Sequence, residues 1–380
     1  MKTRGSIKKM NDYIDSDNGR YRGLSSILKI DAKIFISIIL ITILGLMTIY
    51  SSSSGDMSLV LKQFTRIVIG IVTMVFIAQV HPDNLRLFAP FLYFFSFILL
   101  VLVLFFGVGN TADRWLDLYF IRFQPSELMK IFVPLMVAYY YSNKPLPPRT
   151  KYLFVAVLIV ILPVLMIMKQ PDLGTALLIG MSGAIAILLA GISIRFFFGS
   201  TISIILFAPI LWMNMHDYQK QRVMTFFDPE SDPMGAGYHL LQSKIALGSG
   251  GFFGKGFFNG TQSKLGFVPE HSTDFIFSAF GEEFGFLGVL LLMLLYLFIA
   301  LRGLSISVKA SDNFGRILSG TLSLTLFLYV IVNVGMVIGF LPVVGAPLPF
   351  MSYGGTSMVT LFATVGIIMS IKSHQRILRK

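Results

Sequence analysis

The segment Pro269-Glu270-His271-Ser272-Thr273-Asp274-Phe275-Ile276-Phe277, followed by Gly281-Glu282-Glu283, sets carboxylates at the edge of a stretch otherwise suited to lipid. An ionisable group at a membrane boundary is costly unless a partner or a water-filled cavity receives it, so it marks a functional position. A carboxylate so placed can act as a general base, and Asp274 is the one that directly precedes the apolar run. It reads equally as the cap of the helix that follows. Glu127 and Lys130, inside Gln124-Pro125-Ser126-Glu127-Leu128-Met129-Lys130, stand three apart at a helix start. That spacing puts both on one helix face, where opposite charges can pair within a membrane. A purely structural ion pair is the plainer reading, and such a pair can also set the charge around a nearby base. Among the outward basic residues, Arg114, Arg222 and Lys244 stand out because aromatic or apolar neighbours restrict them. Guanidinium forks and ammonium groups match phosphate oxygens, so this set could bind a lipid-linked pyrophosphate. Asp172 reads first as a helix cap. His216, His239 and His271 are too scattered to define a metal site.

The elements that must position these groups are helices in a bilayer. The chain is 55% hydrophobic and only 13% charged, with long apolar runs between Ile34 and Ser370. A run of about 20 apolar residues spans a bilayer as a helix, and the runs lack the alternation of barrel strands. The fold class is therefore an all-α polytopic membrane protein. Spans are expected near 34–50, 59–80, 88–107, 125–142, 152–168, 174–193, 196–213, 275–301, 315–340 and 352–371, about ten helices by the length criterion. The connection 214–274 is far longer than the links of packed helical proteins, and loops of that length are usually functional. Its glycine turns and the helix-like piece Tyr238–Leu247 suit a lid or groove wall. Two further outward elements are Gly107–Pro125, suited to dipping into the membrane, and the uncharged, Pro- and Gly-rich Leu341–Gly355. Irregular backbone at membrane depth survives only where it lines a cavity or is buried in protein, so three such elements on one side imply a cavity there.

With an even helix count both termini share a side, and most of the 31 Lys and Arg residues fall on that side. The positive-inside rule makes it cytoplasmic. Residues 1–33 and 372–380 are then cytoplasmic tails around a single transmembrane domain, 34–371. Residues 214–274 form a large periplasmic loop. Most acids lie on the outer side, where the chemistry belongs. The polar, basic first 33 residues do not read as a cleavable signal peptide. The net charge of +12 reflects topology and anionic lipid contact, and no nucleic-acid motif accompanies it. The absence of cysteine excludes disulfides and thiolate metal sites. The glycine clusters match neither the phosphate-loop nor the dinucleotide pattern.

Taken together, several motifs resemble the SEDS family (shape, elongation, division and sporulation). They are Arg114-Trp115-Leu116-Asp117, Phe123-Gln124-Pro125-Ser126-Glu127, Gln170-Pro171-Asp172-Leu173-Gly174-Thr175, Gln221-Arg222-Val223-Met224, Gln242-Ser243-Lys244-Ile245-Ala246, Pro269–Phe277, and Pro342-Val343-Val344-Gly345 through Ser352-Tyr353-Gly354-Gly355. The likeness runs from about the first helix to the last and leans to the elongation branch over the division branch. It implies a ten-helix fold of the inner membrane with a periplasmic active cavity. By that analogy Asp274 is the catalytic carboxylate, and Glu127 and Lys130 belong to the cavity. The implied activity is polymerisation of lipid II into glycan strands for cell elongation and rod shape. The implied partner is a class B penicillin-binding protein, a transpeptidase of the elongation complex.

Inverting glycosyl transfer needs a base for the acceptor hydroxyl and positive charge for the departing pyrophosphate. Asp274 fits the first role; Arg114, Arg222 and Lys244 are candidates for the second. No cofactor motif is evident, and a divalent cation, Mg or Mn, on the pyrophosphate is the one addition this chemistry accommodates. A lipid II flippase and a non-catalytic cell-wall scaffold are the alternatives. A flippase needs polar groups across the whole bilayer, and a scaffold has no need of Asp274 or of the Glu127 and Lys130 pair. Reporter fusions test the topology: a fusion in the Asn143–Lys151 connection is expected to report cytoplasm and one near Asp232 the outside. A cytoplasmic signal near Asp232 would overturn the arrangement.

Overall fold

The structure, a computed structural model, describes residues 29–108, 114–117, 122–192, 217–232, 235–264 and 272–375, with scattered positions between 199 and 213. Its helices are α1 (Ala32–Ser52), α2 (Met57–Gln79), α3 (Pro82–Phe106), α4 (Pro125–Ser142), α5 (Thr150–Lys169), α6 (Leu173–Leu189), α7 (Asp217–Phe227), α8 (Ala236–Ser249), α9 (Thr261–Lys264), α10 (Ile276–Lys309), α11 (Asn313–Ile338) and α12 (Thr356–Ser373). A short 3-10 turn, Pro229–Ser231, separates α7 from α8. Two short antiparallel strands, β1 (Leu116–Asp117) and β2 (Arg122–Phe123), lie between α3 and α4. Among the described residues seven helices are long and apolar enough to cross a membrane: α1, α2, α3, α5, α10, α11 and α12. The apolar α6 has 17 residues, and α4 has 18 with Glu127 in its first turn. The expected span 196–213 lies largely outside the described residues, as do Pro269 to His271.

Burial sorts the helices into layers. The membrane-length window of α11 is 67% buried and that of α12 is 56% buried, against 22% for α2, so α11 and α12 form the centre and α2 faces outward. Helices α2 and α12 pack closely against each other. The pairing rests on small residues that let backbones approach, the usual device where lipid supplies no hydrophobic drive between helices. A Cβ at Gly70 would lie 2.3 Å from the Phe362 ring, and one at Gly366 would lie 2.7 Å from the Met74 carbonyl oxygen. The contact is reciprocal, each helix offering a glycine to the other.

The span expected at 275–301 is instead longer, reaching Lys309, and broken at Gly285, whose φ of 64° and ψ of −166° interrupt α10. A break inside a membrane helix must have its backbone groups paired by something else. The glycine loop after α8 supplies the partners. The amides of Phe286 and Leu287 donate to the carbonyls of Gly251 and Phe252, and the amides of Lys255 and Gly256 donate to those of Glu282 and Glu283. A Cβ on Gly254 would come within 2.1 Å of the Glu283 carbonyl oxygen, so loop and break fit only as bare backbone. Glu282, fully buried, takes Lys255 Nζ at 2.7 Å and the Thr261 amide at 2.8 Å. The long connection is thus a packed wall, with α8 lying against α10 and α11.

At the opposite end Asp31 gathers three helices. It caps α1 by accepting from the amides of Lys33 and Ile34. It also receives Arg302 of α10 at 3.0 Å and Lys372 of α12 at 2.7 Å. Burial pushes the Asp31 carboxyl up, but the Lys372 hydrogen bond, the Ile34 amide and the charges of Lys372 and Arg302 outweigh it and hold the group below its ordinary value. A carboxyl held down in the folded state stabilises above the unfolded pKa, and that contribution is lost as the pH falls through the folded one. Asp31→Asn keeps the cap and removes the charge. It is expected to lower the unfolding midpoint of detergent-solubilised protein at neutral pH, at a cost on the order of 2 kcal/mol. The gap to wild type is expected to close as the pH is taken below the usual aspartate range of about 4. A gap that persists there would show that the charge is not what matters.

Candidate functional site

Asp274 sits in the turn 272–275 that leads into α10. The Leu341–Gly355 segment lies beside it, irregular as its prolines require, and stitched to that turn. Ser352 Oγ donates to the Thr273 carbonyl at 2.7 Å and accepts from the Leu348 amide at 2.8 Å. The Tyr353 amide donates to the Ser272 carbonyl at 2.8 Å. Gln63 of α2 donates to the Ser352 carbonyl and accepts from the Gly354 amide. Asn333 of α11 reaches both pieces: its amide nitrogen donates to the Asp274 carbonyl at 2.8 Å and to the Ala346 carbonyl at 2.7 Å. Gly345, at a φ of 71°, turns the loop where a Cβ would stand 3.4 Å from Asp274 Oδ2. The carboxylate therefore faces bare backbone.

Pro125 opens α4 at a position where its missing amide costs nothing, and one turn later Glu127 and Lys130 pair at 2.6 Å. Thr360 of α12 donates to the second Glu127 oxygen at 3.2 Å. Lys130 Nζ also lies 5.1 Å from the centroid of the Tyr329 ring of α11, a cation–π contact. Three helices thus meet on this ion pair.

Asp172 caps α6 by accepting from the Thr175 amide, as its sequence context suggested, but it does more. Its oxygens also meet Gln124 Nε2 at 3.2 Å and Arg114 Nη1 at 3.5 Å, while Arg114 Nη2 donates to the Pro171 carbonyl at 2.8 Å. Arg114 is thereby anchored on one edge of its guanidinium, and its Nε is buried without a hydrogen-bond partner. Arg66 of α2 lies 4.3 Å from the centroid of the Tyr353 ring, and its Nη1 is likewise buried and unbonded.

Asp274, Gly345, Glu127, Lys130, Asp172 and Arg114 line one chamber of about 980 Å³. Asp274, Glu127, Lys130 and Arg114 are brought together as the sequence suggested. Arg222, exposed on α7, and Lys244, exposed on α8, do not line it. Lys244 instead lies over Gly339, where a Cβ would come within 2.2 Å of its Cε. The chamber adds Arg66, Arg122, Asp172, Tyr329 and Tyr353. Arg66 was discoverable, being a lone arginine inside an otherwise apolar span. Tyr329 carries no comparable signal, since an aromatic on an apolar helix reads as core. A smaller cavity of about 30 Å³ continues inward past Glu127, Lys130, Tyr329 and Thr360. Among the described residues no three His, Asp or Glu side chains gather as a metal cage, and Asp172 already engages Arg114, Gln124 and Thr175. Chemically the chamber offers a carboxylate against backbone on one wall and partly unbonded guanidiniums on another, the pairing that suits proton removal beside a departing anion.

The sequence profile of the FtsW/RodA/SpoVE cell cycle proteins matches residues 31–377. The peptidoglycan glycosyltransferase MrdB of Escherichia coli K12 is 45% identical over 367 residues, covering 96% of this chain and 99% of that one. Two solved structures share the fold. A chain from a peptidoglycan synthase complex, described as coordinating polymerization and crosslinking, superposes with a TM-score of 0.79 at 27% identity, over 91% of this chain and 99% of that one. The rod shape determining protein RodA of Thermus thermophilus gives a TM-score of 0.69 at 25% identity, over 91% and 97% respectively.

The side chains of Lys130 and Glu127 are 13% and 7% exposed, so removing either leaves a buried charge uncompensated, at a cost of about 3–5 kcal/mol. Glu127→Ala and Lys130→Ala are each expected to lower the unfolding midpoint of the purified protein, and the double variant to lose less than the sum of the two. Additive losses would show that the pair is not coupled.

Proposed function

The chain belongs to the FtsW/RodA/SpoVE family of cell cycle proteins, and on that premise we propose that it is a peptidoglycan glycosyltransferase. It joins lipid II units into glycan strands at the outer face of the inner membrane and serves cell elongation and rod shape. The observation that carries this reading is the chamber. A membrane-embedded cavity that holds Asp274 together with Arg66, Arg114, Arg122 and Lys130 suits a substrate with a sugar at one end and a lipid-linked pyrophosphate at the other.

In the proposed reaction Asp274 takes the proton of the acceptor 4-hydroxyl as that oxygen attacks the anomeric carbon of the donor. The bond from that carbon to the pyrophosphate oxygen breaks, and the electron pair leaves on polyprenyl pyrophosphate. Attack from the opposite side inverts the α link to β. The guanidiniums of Arg114, Arg66 and Arg122 neutralise the charge that develops on the leaving group, a fixed electrostatic stabilisation that costs no reorganisation at the moment of reaction. Glu127 holds Lys130 toward the same anion and prevents it from pairing with Asp274. Arg222 and Lys244, off the chamber wall, are assigned no contact with the reacting atoms. A divalent cation, Mg or Mn, on the pyrophosphate would share the leaving-group role with the chamber's side chains.

The complex named for the structural relative supports a crosslinking partner for this chain, of the class B penicillin-binding kind. Its membrane helix is assigned to the exposed leucine face of α10, Leu290, Leu291, Leu294 and Leu301. Both termini are assigned to the cytoplasm and the chamber to the periplasmic side, from the distribution of basic residues.

Asp274→Asn preserves size and shape but cannot accept a proton at neutral pH; the helix that follows is capped at Phe275 without a side-chain bond, so the helix cap does not depend on this position. Polymerisation of purified lipid II by the folded variant, measured with the transpeptidase partner present, is expected to fall by about 10²–10⁴, with membrane insertion unaltered. Wild-type polymerisation by that variant would overturn the role of Asp274 as base.

A further inference from the structure

We propose that Asn333 is a positioning residue for Asp274: one buried side-chain amide fixes the main chain that carries the base to the main chain the base faces. The assignment rests on the reading of Asp274 as the general base and names the group that aims it. Asn333 is fully buried in the centre of α11, one helical turn beyond Tyr329, which lines the chamber. Each proton of its NH2 group is spent on a different segment, one on the Asp274 carbonyl at 2.8 Å and one on the Ala346 carbonyl at 2.7 Å. Its own oxygen is buried without a hydrogen-bond partner. A buried amide that leaves its acceptor unbonded while both donors are used is placed for those donors.

The geometry around it explains what the two bonds do. Residue 346 follows Gly345, whose backbone stands against Asp274 Oδ2, so holding carbonyls 274 and 346 on one nitrogen fixes how the carboxylate meets the loop. The stitches made by Ser352 and Tyr353 lie at residues 273 and 272, whereas Asn333 holds the carbonyl of residue 274 itself. It sits on the most buried helix, which makes it a rigid reference point. Few side chains could replace it. Aspartate would set a carboxylate against two carbonyl oxygens, and serine and threonine have one donor each. Misplacement of a catalytic group by about 1 Å costs on the order of 10²-fold in rate.

Two variants remove the donors: Asn333→Leu keeps most of the volume, and Asn333→Ala does not. Folding is monitored by the unfolding midpoint, and lipid II polymerisation is measured with the partner present. The turnover rate is expected to fall about 10- to 100-fold, with KM for lipid II within about two-fold. Because the effect runs through the base, adding either change to Asp274→Asn is expected to cause no further loss. A folded variant that turns over at the wild-type rate, a loss that appears mainly in KM, or an equal loss on top of Asp274→Asn would each overturn the assignment. So would failure of both variants to fold, which would make Asn333 a packing residue. If Asp274→Asn abolishes activity while folded Asn333 variants turn over normally, only the positioning role fails. If Asp274→Asn is fully active, the base reading fails and this one with it.

Discussion

Backbone that leaves the helix inside a membrane has to find every hydrogen bond within the protein, and the rest of this molecule is arranged around that constraint. It operates twice. Leu341–Gly355 lies between α11 and α12 and is paired by Asn333, Ser352, Gln63 and the Ser272 carbonyl. The break at Gly285 is paired by the glycine loop 251–256. The turn that carries Asp274 is tied to the first of these segments and to α11 by Ser352, Tyr353 and Asn333. A carboxylate on a loop is ordinarily less well fixed than one on a helix. Here the loop borrows the rigidity of the most enclosed helices in the bundle.

The electrostatics of the chamber follow the same economy. Glu127 and Asp172 on its wall are engaged by the protein's own groups: Glu127 by Lys130 and Thr360, Asp172 by Arg114, Gln124 and the Thr175 amide. These anions hold cations in place more than they bind anything themselves. Arg114 Nε and Arg66 Nη1 are buried without a hydrogen-bond partner, while Asp172 and the Tyr353 ring hold the two guanidiniums in place. Ion pairs at this depth add little to stability relative to apolar packing, so their worth lies in orientation.

Membrane helices were legible because an apolar run of that length has few other solutions; α1, α2 and α5 fall within a few residues of expectation. Glu127, Lys130, Arg114 and Asp274 were legible because a charge beside lipid is conspicuous. The break in α10 was not. Gly285 stands among Phe284, Phe286 and other apolar residues that continue the helical pattern without interruption, and only the distant loop 251–256 makes a left-handed residue tolerable there. Asn333 and Tyr329 were hidden for a related reason: each is an ordinary helix residue until a segment far away in sequence is laid against it. Arg222 and Lys244 drew notice through their neighbours, a local cue that carries no information on which wall a residue joins.

The reciprocal glycine contact of α2 with α12 has a consequence for how the protein is made. Helices enter the membrane in chain order as synthesis proceeds, yet the second helix is completed by the last, and Asp31, ahead of the first, meets Lys372 near the final turn of α12. Glu127 likewise waits for Thr360. Until the closing residues are inserted, the early helices present glycine notches and half-paired charges to lipid or to chaperones. Closure of the chamber therefore waits on α12, and a chain without that helix would be left with its earlier segments still open.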